Sequence, residues 1–340
     1  MSRSHAWARA SANIALAKYW GKADLTHNIP AVPSISLTLR ELVTETEVCF
    51  DAALPDDSVT LDGRVATAKE SARVRACLDR IRAHAGIDTP ARVASRNHFP
   101  TAAGLASSAS GFAALVVAAA RAAGLDASAA TASAWARQCS ASAARSLFGG
   151  FVELPAGQAG QSELAAQPLL PEDAWEVRVV VAVLAETPKA VGSTEGMERS
   201  RQSSPLYAPW LQLAPELTKR IREGILARDL TEVGPAMEQS TLSFHAAAMT
   251  AEPPLLYWLP ESVTVLQALW RWRAVEGLQG WATMDAGPQV KVLCLAADAP
   301  EVAARLAKLG CVRQTLVTSP GPGVCSGDGA APWQRAKAAR

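Results

Sequence analysis

The sequence predicts an α+β protein with two domains. Strand-like segments with two-residue alternation and helix-like segments with helical periodicity are mixed in both halves of the chain. A length of 340 residues is enough for two domains. We place the N-terminal domain at 1–180, the C-terminal domain at 181–325, and a disordered tail of turn-forming and basic residues at 326–340.

Composition and charge exclude several classes of protein. Hydrophobic residues make up 49% and charged residues 19%, which is typical of a soluble globular protein. A net charge of +1 gives no general affinity for nucleic acid or for an anionic membrane. The longest apolar run, 112–123, contains Arg121 and is too short to span a bilayer. The N-terminus has no signal-peptide pattern and the six cysteines have no zinc-like spacing, so we expect a cytoplasmic protein with reduced thiols.

Strands and helices alternate in the N-terminal half. The segments 42–50 and 58–63 predict strands, and 91–99 predicts a third. Between the second and the third, apolar side chains within 72–81 have near-helical spacing, and Gly86 is a suitable helix end. An apolar helix is expected after a small-residue loop that follows the third strand.

The middle of the chain is less regular. The segment 132–154 looks helical at both ends of a small-residue stretch and is not assigned to one element. The segment 155–174 is rich in Pro, Gly and Gln and predicts a surface excursion, whereas 175–185 predicts a buried strand because β-branched residues dominate it. Beyond it, helix patterns cover 216–239, 262–277 and 300–310, and strand patterns cover 280–286 and 290–296.

The small-residue loop "PTAAGLASSASG" is a candidate anion site. A helix N-terminus presents unpaired N–H groups, Gly104 lets the backbone approach a ligand, and Pro100 stiffens the entry. Ser107 and Ser108 add hydroxyl donors or an oxygen that could bridge to a metal. The loop does not match the Walker pattern. On composition alone, helix capping by the two serines is an equal alternative.

The segment "NIALAKYWGK" holds two lysines four residues apart. Lys18 and Lys22, with Tyr19, Trp20 and Gly21 between them, would lie on one side in a helix and also in an extended strand. The pair could therefore bind a multiply charged anion. The alternative is an ordinary pair of solvated lysines.

The segment "CSASAARSLFGG" combines small residues with one arginine. Small neighbours let a ligand approach the backbone, and the Arg145 guanidinium can bind a carboxylate through two parallel hydrogen bonds. Ser140 and Ser142 lie in the same segment. The alternative is a plain helix with one surface arginine.

Two further segments have polar residues at the ends of elements. In "VGSTEGM", Ser193 or Thr194 is a suitable helix cap. In "TMDAGPQVKVL", Asp285 precedes Ala-Gly-Pro between two strands, where an aspartate most often forms the turn through its own backbone. His245 has no visible acid or nucleophile partner, so we interpret it as structural.

These segments resemble, in the same order, the signature segments of one family. "PTAAGLASSASG" resembles the phosphate-binding loop of the GHMP kinase superfamily, which includes galactokinases, homoserine kinases and mevalonate kinases, and within it the diphosphomevalonate decarboxylase branch. "NIALAKYWGK" and "CSASAARSLFGG" resemble two more segments of that branch, and the DAGP turn resembles another. The resemblance runs from Asn13 to Pro288 and leaves out 155–174 and the tail.

The resemblance implies roles for individual residues. Asp285 would be the catalytic carboxylate, Lys18 would lie beside the reacting hydroxyl, and Arg145 would hold the carboxylate that leaves as carbon dioxide. The implied substrate-binding residues are Tyr19, Trp20, Gly21, Lys22, Arg73, Ser140, Ala141, Ser142, Ala143, Ala144, Arg145, Ser193 and Thr194. The implied ATP-binding residues are Pro100, Ala103, Gly104, Leu105, Ala106, Ser107 and Ser108, with Ser108 on the phosphates or their magnesium ion. Arg75 is a rival to Arg73, and no protein ligand of the metal is assigned.

The resemblance also implies a fold and a reaction. The fold would be the two-domain GHMP kinase fold, with a ribosomal-protein-like N-terminal domain that has a left-handed βαβ crossover and a ferredoxin-like C-terminal domain. The active site would lie in the cleft between them. The implied reaction is the ATP- and Mg²⁺-dependent decarboxylation of (R)-5-diphosphomevalonate to isopentenyl diphosphate, with release of ADP, phosphate and carbon dioxide. A homodimer in the cytoplasm is also implied.

Three other kinds of function are alternatives. The first is a related enzyme on the same scaffold, which could phosphorylate the hydroxyl without decarboxylation or act on mevalonate 5-phosphate. The protein could instead be a nucleotide-binding regulatory module without catalysis, but such a module would be expected to lose its acidic or cationic site residues first. A generic interaction domain, in which the quoted segments are only caps and turns, is the third alternative.

Overall fold

The computed structural model describes residues 4–99, 107–185 and 191–333. The strands are β1 (Ser4–Ala17), β2 (Lys22–Asp24), β3 (Ile29–Pro30), β4 (Ser34–Phe50), β5 (Ser58–Leu61), β6 (Arg64–Val65), β7 (Ala91–Asn97), β8 (Phe151–Leu154), β9 (Gln167–Leu170), β10 (Val177–Val183), β11 (Gly280–Thr283), β12 (Val290–Leu295), β13 (Gln314–Thr318) and β14 (Cys325–Asp328). The helices are α1 (Ala68–Ala85), α2 (Ser107–Ala122), α3 (Ala129–Cys139), α4 (Ser193–Ser203), α5 (Tyr207–Ala227), α6 (Leu230–Met249), α7 (Pro260–Glu276) and α8 (Ala299–Ala307), and a 3₁₀ helix covers Ala141–Leu147.

Within the described residues, the first sheet has eight strands, with the long strands β1 and β4 at its centre. Its order is β14-β1-β4-β7-β5-β6, and β8 pairs with the start of β4 and with β9. The strands β5 and β7 form a parallel pair that α1 connects, so they are a βαβ unit. Helices α1, α2 and α3 cover this part of the sheet with a core of small and aliphatic side chains.

Helix α1 begins and ends at clear sequence signals. The Thr67 hydroxyl and the Glu70 carboxylate form a reciprocal capping box at its start. Val74, Leu78 and Ile81 form its buried face, and the chain leaves the helix at Gly86. Gly86 has φ 65°, a left-handed conformation that glycine adopts without steric cost. The predicted helix is therefore confirmed.

The second sheet has the strand order β11-β12-β10-β13, and its neighbours are antiparallel. Helices α4–α7 separate β10 from β11, and α8 separates β12 from β13, which gives the ferredoxin-like order. Val179 and Val181 face a core shared with α5, α6 and the first sheet, whereas Val180 and Ala182 face α7 and α8. Burial on both faces explains why this strand shows no alternation.

The structure modifies three predictions made from local patterns. The segment 155–174 lies largely at the surface, as predicted, and also contains β9, which pairs with β8. The tail predicted to be disordered from 326 instead begins with residues of β14, which pairs with β1 near the other end of the chain. The helical segment 216–239 is divided between α5 and α6, because Arg228 has a left-handed φ of 56° and ends α5.

The two sheets meet at the end of β1, and this junction positions the site. The Thr283 hydroxyl, on β11, donates to the Ala15 carbonyl at 3.0 Å. The Lys18 amide donates to the Ser240 hydroxyl on α6 at 2.9 Å. Among the described residues, no helix is long and apolar enough to cross a membrane.

Candidate active site

The centre of the site is a carboxylate held between two lysines. Asp285 follows β11 in the turn to β12, and its Oδ1 lies 2.8 Å from the Lys18 Nζ. Its Oδ2 lies 2.8 Å from the Nζ of Lys291. The Lys18 and Lys291 side chains are buried, whereas the Asp285 side chain is 29% exposed. The carboxylate is therefore fixed by buried cations and still accessible to a ligand.

The charged groups of this cluster shift one another's pKa values. Burial raises the pKa of the Asp285 carboxyl, but Lys18 and Lys291 outweigh burial and hold it well below its usual range. Burial lowers the pKa of Lys18 to about 8 against the opposing attraction of Asp285. Asp285 is therefore ionised at neutral pH, and Lys18 retains its proton there.

Arg145 is a buried cation next to this cluster. Its side chain is 2% exposed, and it donates to the Ser36 and Ser34 hydroxyls at 2.9 and 2.7 Å and to the Asn13 amide oxygen at 3.4 Å. Within 4–99, 107–185 and 191–333 it forms no ion pair. Each terminal guanidinium nitrogen retains one N–H group, so the side chain can still bind a carboxylate through two hydrogen bonds.

The residues that hold Arg145 were missed by sequence reasoning. Asn13 also donates to the Ser146 hydroxyl at 2.8 Å and to the Ser142 carbonyl at 3.0 Å, and so connects β1 to the 3₁₀ helix. Ser34 and Ser36 alternate with apolar residues at the start of β4. That alternation was the available signal, because it places both hydroxyls on one face of the strand.

Lys22 lies in a different part of the site from Lys18. Its Nζ lies 2.5 Å from the Asn28 amide oxygen and 3.3 Å from the Thr194 hydroxyl, so it does not share a partner with Lys18. Thr194 and Ser193 are in the first turn of α4, and Gly192 occupies the N-cap. The prediction of a Ser193 or Thr194 cap is therefore wrong, because both residues have already entered the helix.

Two predicted substrate residues, the half-buried Tyr19 and the buried Trp20, are aromatic and lie between the two lysines in the sequence. The Trp20 ring is 1% exposed, donates to the Ser200 hydroxyl at 3.0 Å and packs on Phe244 and Tyr257. We expect it to fix the chain around Gly21 rather than to contact a ligand. Burial raises the pKa of the Tyr19 phenol, whose oxygen has no hydrogen-bond partner among the described residues.

The 3₁₀ helix brings the small predicted residues together. Ser140 and Ser142 place their hydroxyl oxygens 3.2 Å apart. Ala141, Ala143 and Ala144 are buried in the two adjoining cores. Their contribution is therefore close packing that brings this helix near the start of β4.

A cavity of about 220 Å³ lies at the N-terminal end of α2. Its lining includes Ser107, Ser108, Arg73 and Phe112, and the Arg73 guanidinium lies 4.7 Å from the centre of the Phe112 ring. Arg75 instead pairs with Asp56, at 2.8 Å, so the structure favours Arg73 over its rival. The other predicted ATP-binding residues, Pro100, Ala103, Gly104, Leu105 and Ala106, lie outside the described residues.

His245 lies behind the site in an aromatic cluster. It is 1% exposed, and its ring centre is 3.9 Å from that of Phe244 and 5.1 Å from that of Trp258. Burial and, to a lesser extent, repulsion from Lys18 lower the pKa of His245 to about 3. A neutral, buried imidazole is consistent with the structural role predicted for it.

The backbone conformation and close packing of Gly21 lead to a prediction about stability. Its φ of 130° is unfavourable for other residues, and a Cβ here would overlap the Tyr207 hydroxyl. Gly21→Ala is expected to lower the free energy of unfolding by about 1–3 kcal/mol, measured by urea denaturation. Gly310→Ala is the matched control, since Gly310 has neither a positive φ nor a close neighbour. Equal stabilities of the two variants would contradict this account.

Comparisons with known proteins agree over nearly the whole chain. Residues 10–165 match the model of the diphosphomevalonate decarboxylase-like N-terminal domain, and residues 179–320 match the mevalonate 5-diphosphate decarboxylase C-terminal domain. The diphosphomevalonate decarboxylase of Aspergillus fumigatus is 36% identical over 313 residues, which cover 86% of this chain and 78% of that protein.

Solved structures agree as well. The mevalonate diphosphate decarboxylase of Enterococcus faecalis is 36% identical, with a TM-score of 0.90 over 96% of this chain and 100% of its own. The protein designated MDDEF, solved with MVAPP, AMPPCP and magnesium, is also 36% identical, with a TM-score of 0.91 over 96% and 100%. The similarity confirms the GHMP kinase fold. The chain therefore belongs to the diphosphomevalonate decarboxylase family.

Proposed function

We propose that this protein catalyses the ATP-dependent decarboxylation of (R)-5-diphosphomevalonate to isopentenyl diphosphate in the mevalonate pathway, with release of ADP, phosphate and carbon dioxide. The observation that carries the proposal is the ionised Asp285 between Lys18 and Lys291, with the guanidinium of Arg145 nearby. Among the described residues this guanidinium has only neutral hydrogen-bond partners. MDDEF, which has the same fold, is solved with MVAPP and AMPPCP.

The reaction needs a better leaving group than a hydroxyl. Transfer of the γ-phosphoryl group of ATP to the tertiary hydroxyl forms a phosphate ester and ADP. The C–O bond to this phosphate then breaks, and positive character develops on the carbon. The bond to the neighbouring carboxylate supplies its electron pair to form the alkene, and carbon dioxide leaves.

The central residues match these steps. Asp285 accepts a hydrogen bond from the hydroxyl, orients it for attack on the phosphorus and takes up its proton as the new P–O bond forms. The Lys18 ammonium, next to that carboxylate, stabilises negative charge on the transferring phosphoryl group. Arg145 holds the substrate carboxylate with its two remaining terminal N–H groups, so that the breaking C–C bond stays aligned.

Further predicted polar residues bind the diphosphate of the substrate and the phosphates of ATP. Lys22, Arg73 and Thr194 are polar groups suited to the diphosphate of the substrate, with Tyr19, Ser140 and Ser142 beside them. The cavity next to Ser107 and Ser108 is the proposed nucleotide site, where N–H groups at the start of α2 favour phosphate. We extend this site to the loop 100–106 on the resemblance.

The described residues are compatible with a magnesium ion that binds together with ATP. Among the residues that the structure describes, no group of three or more His, Cys, Asp or Glu side chains could hold a metal ion. Mg²⁺ commonly keeps several waters and binds substrate phosphates with few protein ligands, and Ser108 is the proposed hydroxyl ligand. When bound, Mg²⁺ neutralises phosphate charge.

Parallel assays test the proposed function. Diphosphomevalonate with ATP is expected to give ADP and carbon dioxide in equal amounts, because phosphoryl transfer and decarboxylation are coupled. Mevalonate 5-phosphate is expected to be a poor substrate, since it lacks one phosphate for Lys22 and Thr194. ADP without carbon dioxide would indicate a kinase, and ATP binding without turnover on either substrate would indicate a regulatory module.

We also propose, on the resemblance, that the protein is a cytoplasmic homodimer. Light scattering after size-exclusion chromatography tests the dimer, and a monomeric mass would contradict it.

A further inference from the structure

Lys291 is a buried cation on a strand that otherwise carries apolar side chains. Its neighbours on β12, Val290 and Val292, face the core under α7 and α8. Leu293 shares the face of Lys291 and packs in the core between the two sheets. Lys291 is 1% exposed. An ammonium group in this position is unfavourable unless it has a charged partner, so the Lys291–Asp285 contact accounts for its presence.

The two lysines bind different oxygens of the same carboxylate. Lys291 binds Oδ2 and Lys18 binds Oδ1, each at 2.8 Å. One ammonium alone would let the carboxylate turn about its side-chain bonds, whereas two opposed ones fix its plane. Lys291 extends from a central strand of the second sheet, and Lys18 follows the last residue of β1. The carboxylate is thus fixed from both domains.

In the part of the chain that the structure describes, four titratable or charged groups surround Asp285. Lys18 comes from the end of β1, Lys291 from β12, Arg145 from the 3₁₀ helix and His245 from α6. His245 is neutral, because burial lowers its pKa to about 3. The surroundings are therefore strongly cationic, and removal of one lysine makes protonation of the carboxylate easier.

We propose that Lys291 is a positioning residue, which holds Asp285 through Oδ2 so that Oδ1 and Lys18 together face the reacting hydroxyl. The inference rests on the proposed function. Lys291 acts through Asp285 and does not contact the substrate. The Lys291 ammonium also neutralises part of the negative charge of Asp285. Lys18 is therefore less strongly engaged by the carboxylate and can stabilise the transferring phosphoryl group.

The kinetic test is Lys291→Met. We expect kcat to fall ~10²-fold, because the carboxylate loses its orientation, with a smaller change in the KM for diphosphomevalonate. The acid limb of the pH–kcat profile should move to higher pH by about one to three units, since loss of a nearby cation raises the pKa of a carboxyl. Lys291→Arg retains the charge and is expected to restore part of kcat and the original acid limb.

A control separates positioning from simple destabilisation. Val292→Ala creates a cavity on the other face of the same strand and leaves the Asp285 contacts in place. It is expected to lower the melting temperature and to leave the acid limb unchanged. The proposal fails if Val292→Ala and Lys291→Met, at matched loss of melting temperature, lower kcat equally.

A second measurement does not depend on turnover. With ¹³C-labelled aspartate, the Asp285 carboxyl signal is assigned by its loss in Asp285→Asn, and its titration is followed by NMR. We expect the signal to titrate at higher pH in Lys291→Met than in the wild type. A titration at the same pH, or none above the pH of acid unfolding in the variant, would overturn the proposal. An inactive wild type would instead disprove the proposed function, and the NMR result would still decide the role of Lys291.

Discussion

Asp285→Asn is expected to lower kcat for decarboxylation by ~10²-fold or more, the scale of a lost acid–base group. The amide has nearly the shape of the carboxylate, but it cannot accept the hydroxyl proton or balance the two lysines. The KM for diphosphomevalonate should change less, because Arg145 and Lys22 still bind its two ends. Steady-state assays of ADP and carbon dioxide measure both quantities.

The two lysines provide a control for this variant. Asp285→Asn leaves Lys18 and Lys291 buried without their anion, so it should also destabilise the protein. Adding Lys291→Met removes one uncompensated charge and is expected to regain melting temperature but not turnover. A near-wild-type rate for Asp285→Asn would remove this residue from the catalytic role.

Arg145→Lys is expected to lower kcat/KM for diphosphomevalonate by ~10²-fold. A lysine cannot reproduce two parallel hydrogen bonds to a carboxylate while it also contacts Ser34, Ser36 and Asn13. Misalignment of the departing carboxylate should also uncouple the reaction, so that ADP forms in excess of carbon dioxide. The ratio of the two products is the measurement.

Arg121→Lys is the matched substitution for comparison. Arg121 is exposed and pairs with Asp328 on the surface, so the same change there should leave turnover unaffected. If Arg145→Lys retained wild-type affinity and a one-to-one product ratio, Arg145 would not be the group that holds the carboxylate.

The parts of the site that could be predicted from the sequence are those within distinctive segments. Lys18, Arg145 and Asp285 were identified by resemblance, and the structure brings Lys18 and Asp285 together although 267 positions separate them. Lys291 was missed because it lies within "VKVLCLA", which was assigned only as a strand. A single charge in an apolar strand indicates a buried partner, but the pattern does not say which one.

Prediction of the fold from the sequence was limited in the same way, because only local signals can be read from the chain. Helix α1 was predictable because its cap, its apolar spacing and its terminal glycine are all local. Strand β14 was not, because its turn-rich sequence becomes a strand only when it pairs with β1, more than 300 positions earlier. Local composition indicated disorder, and a long-range partner decided otherwise.

We propose that distant segments form one anionic-ligand cavity in which Asp285 faces the reacting hydroxyl and Arg145 holds the substrate carboxylate. A crystal structure with diphosphomevalonate and a non-hydrolysable ATP analogue tests this arrangement. We predict the tertiary hydroxyl within about 3 Å of an Asp285 oxygen and the carboxylate bound to both terminal nitrogens of Arg145. A carboxylate bound away from Arg145, or a hydroxyl out of reach of Asp285, would contradict the account.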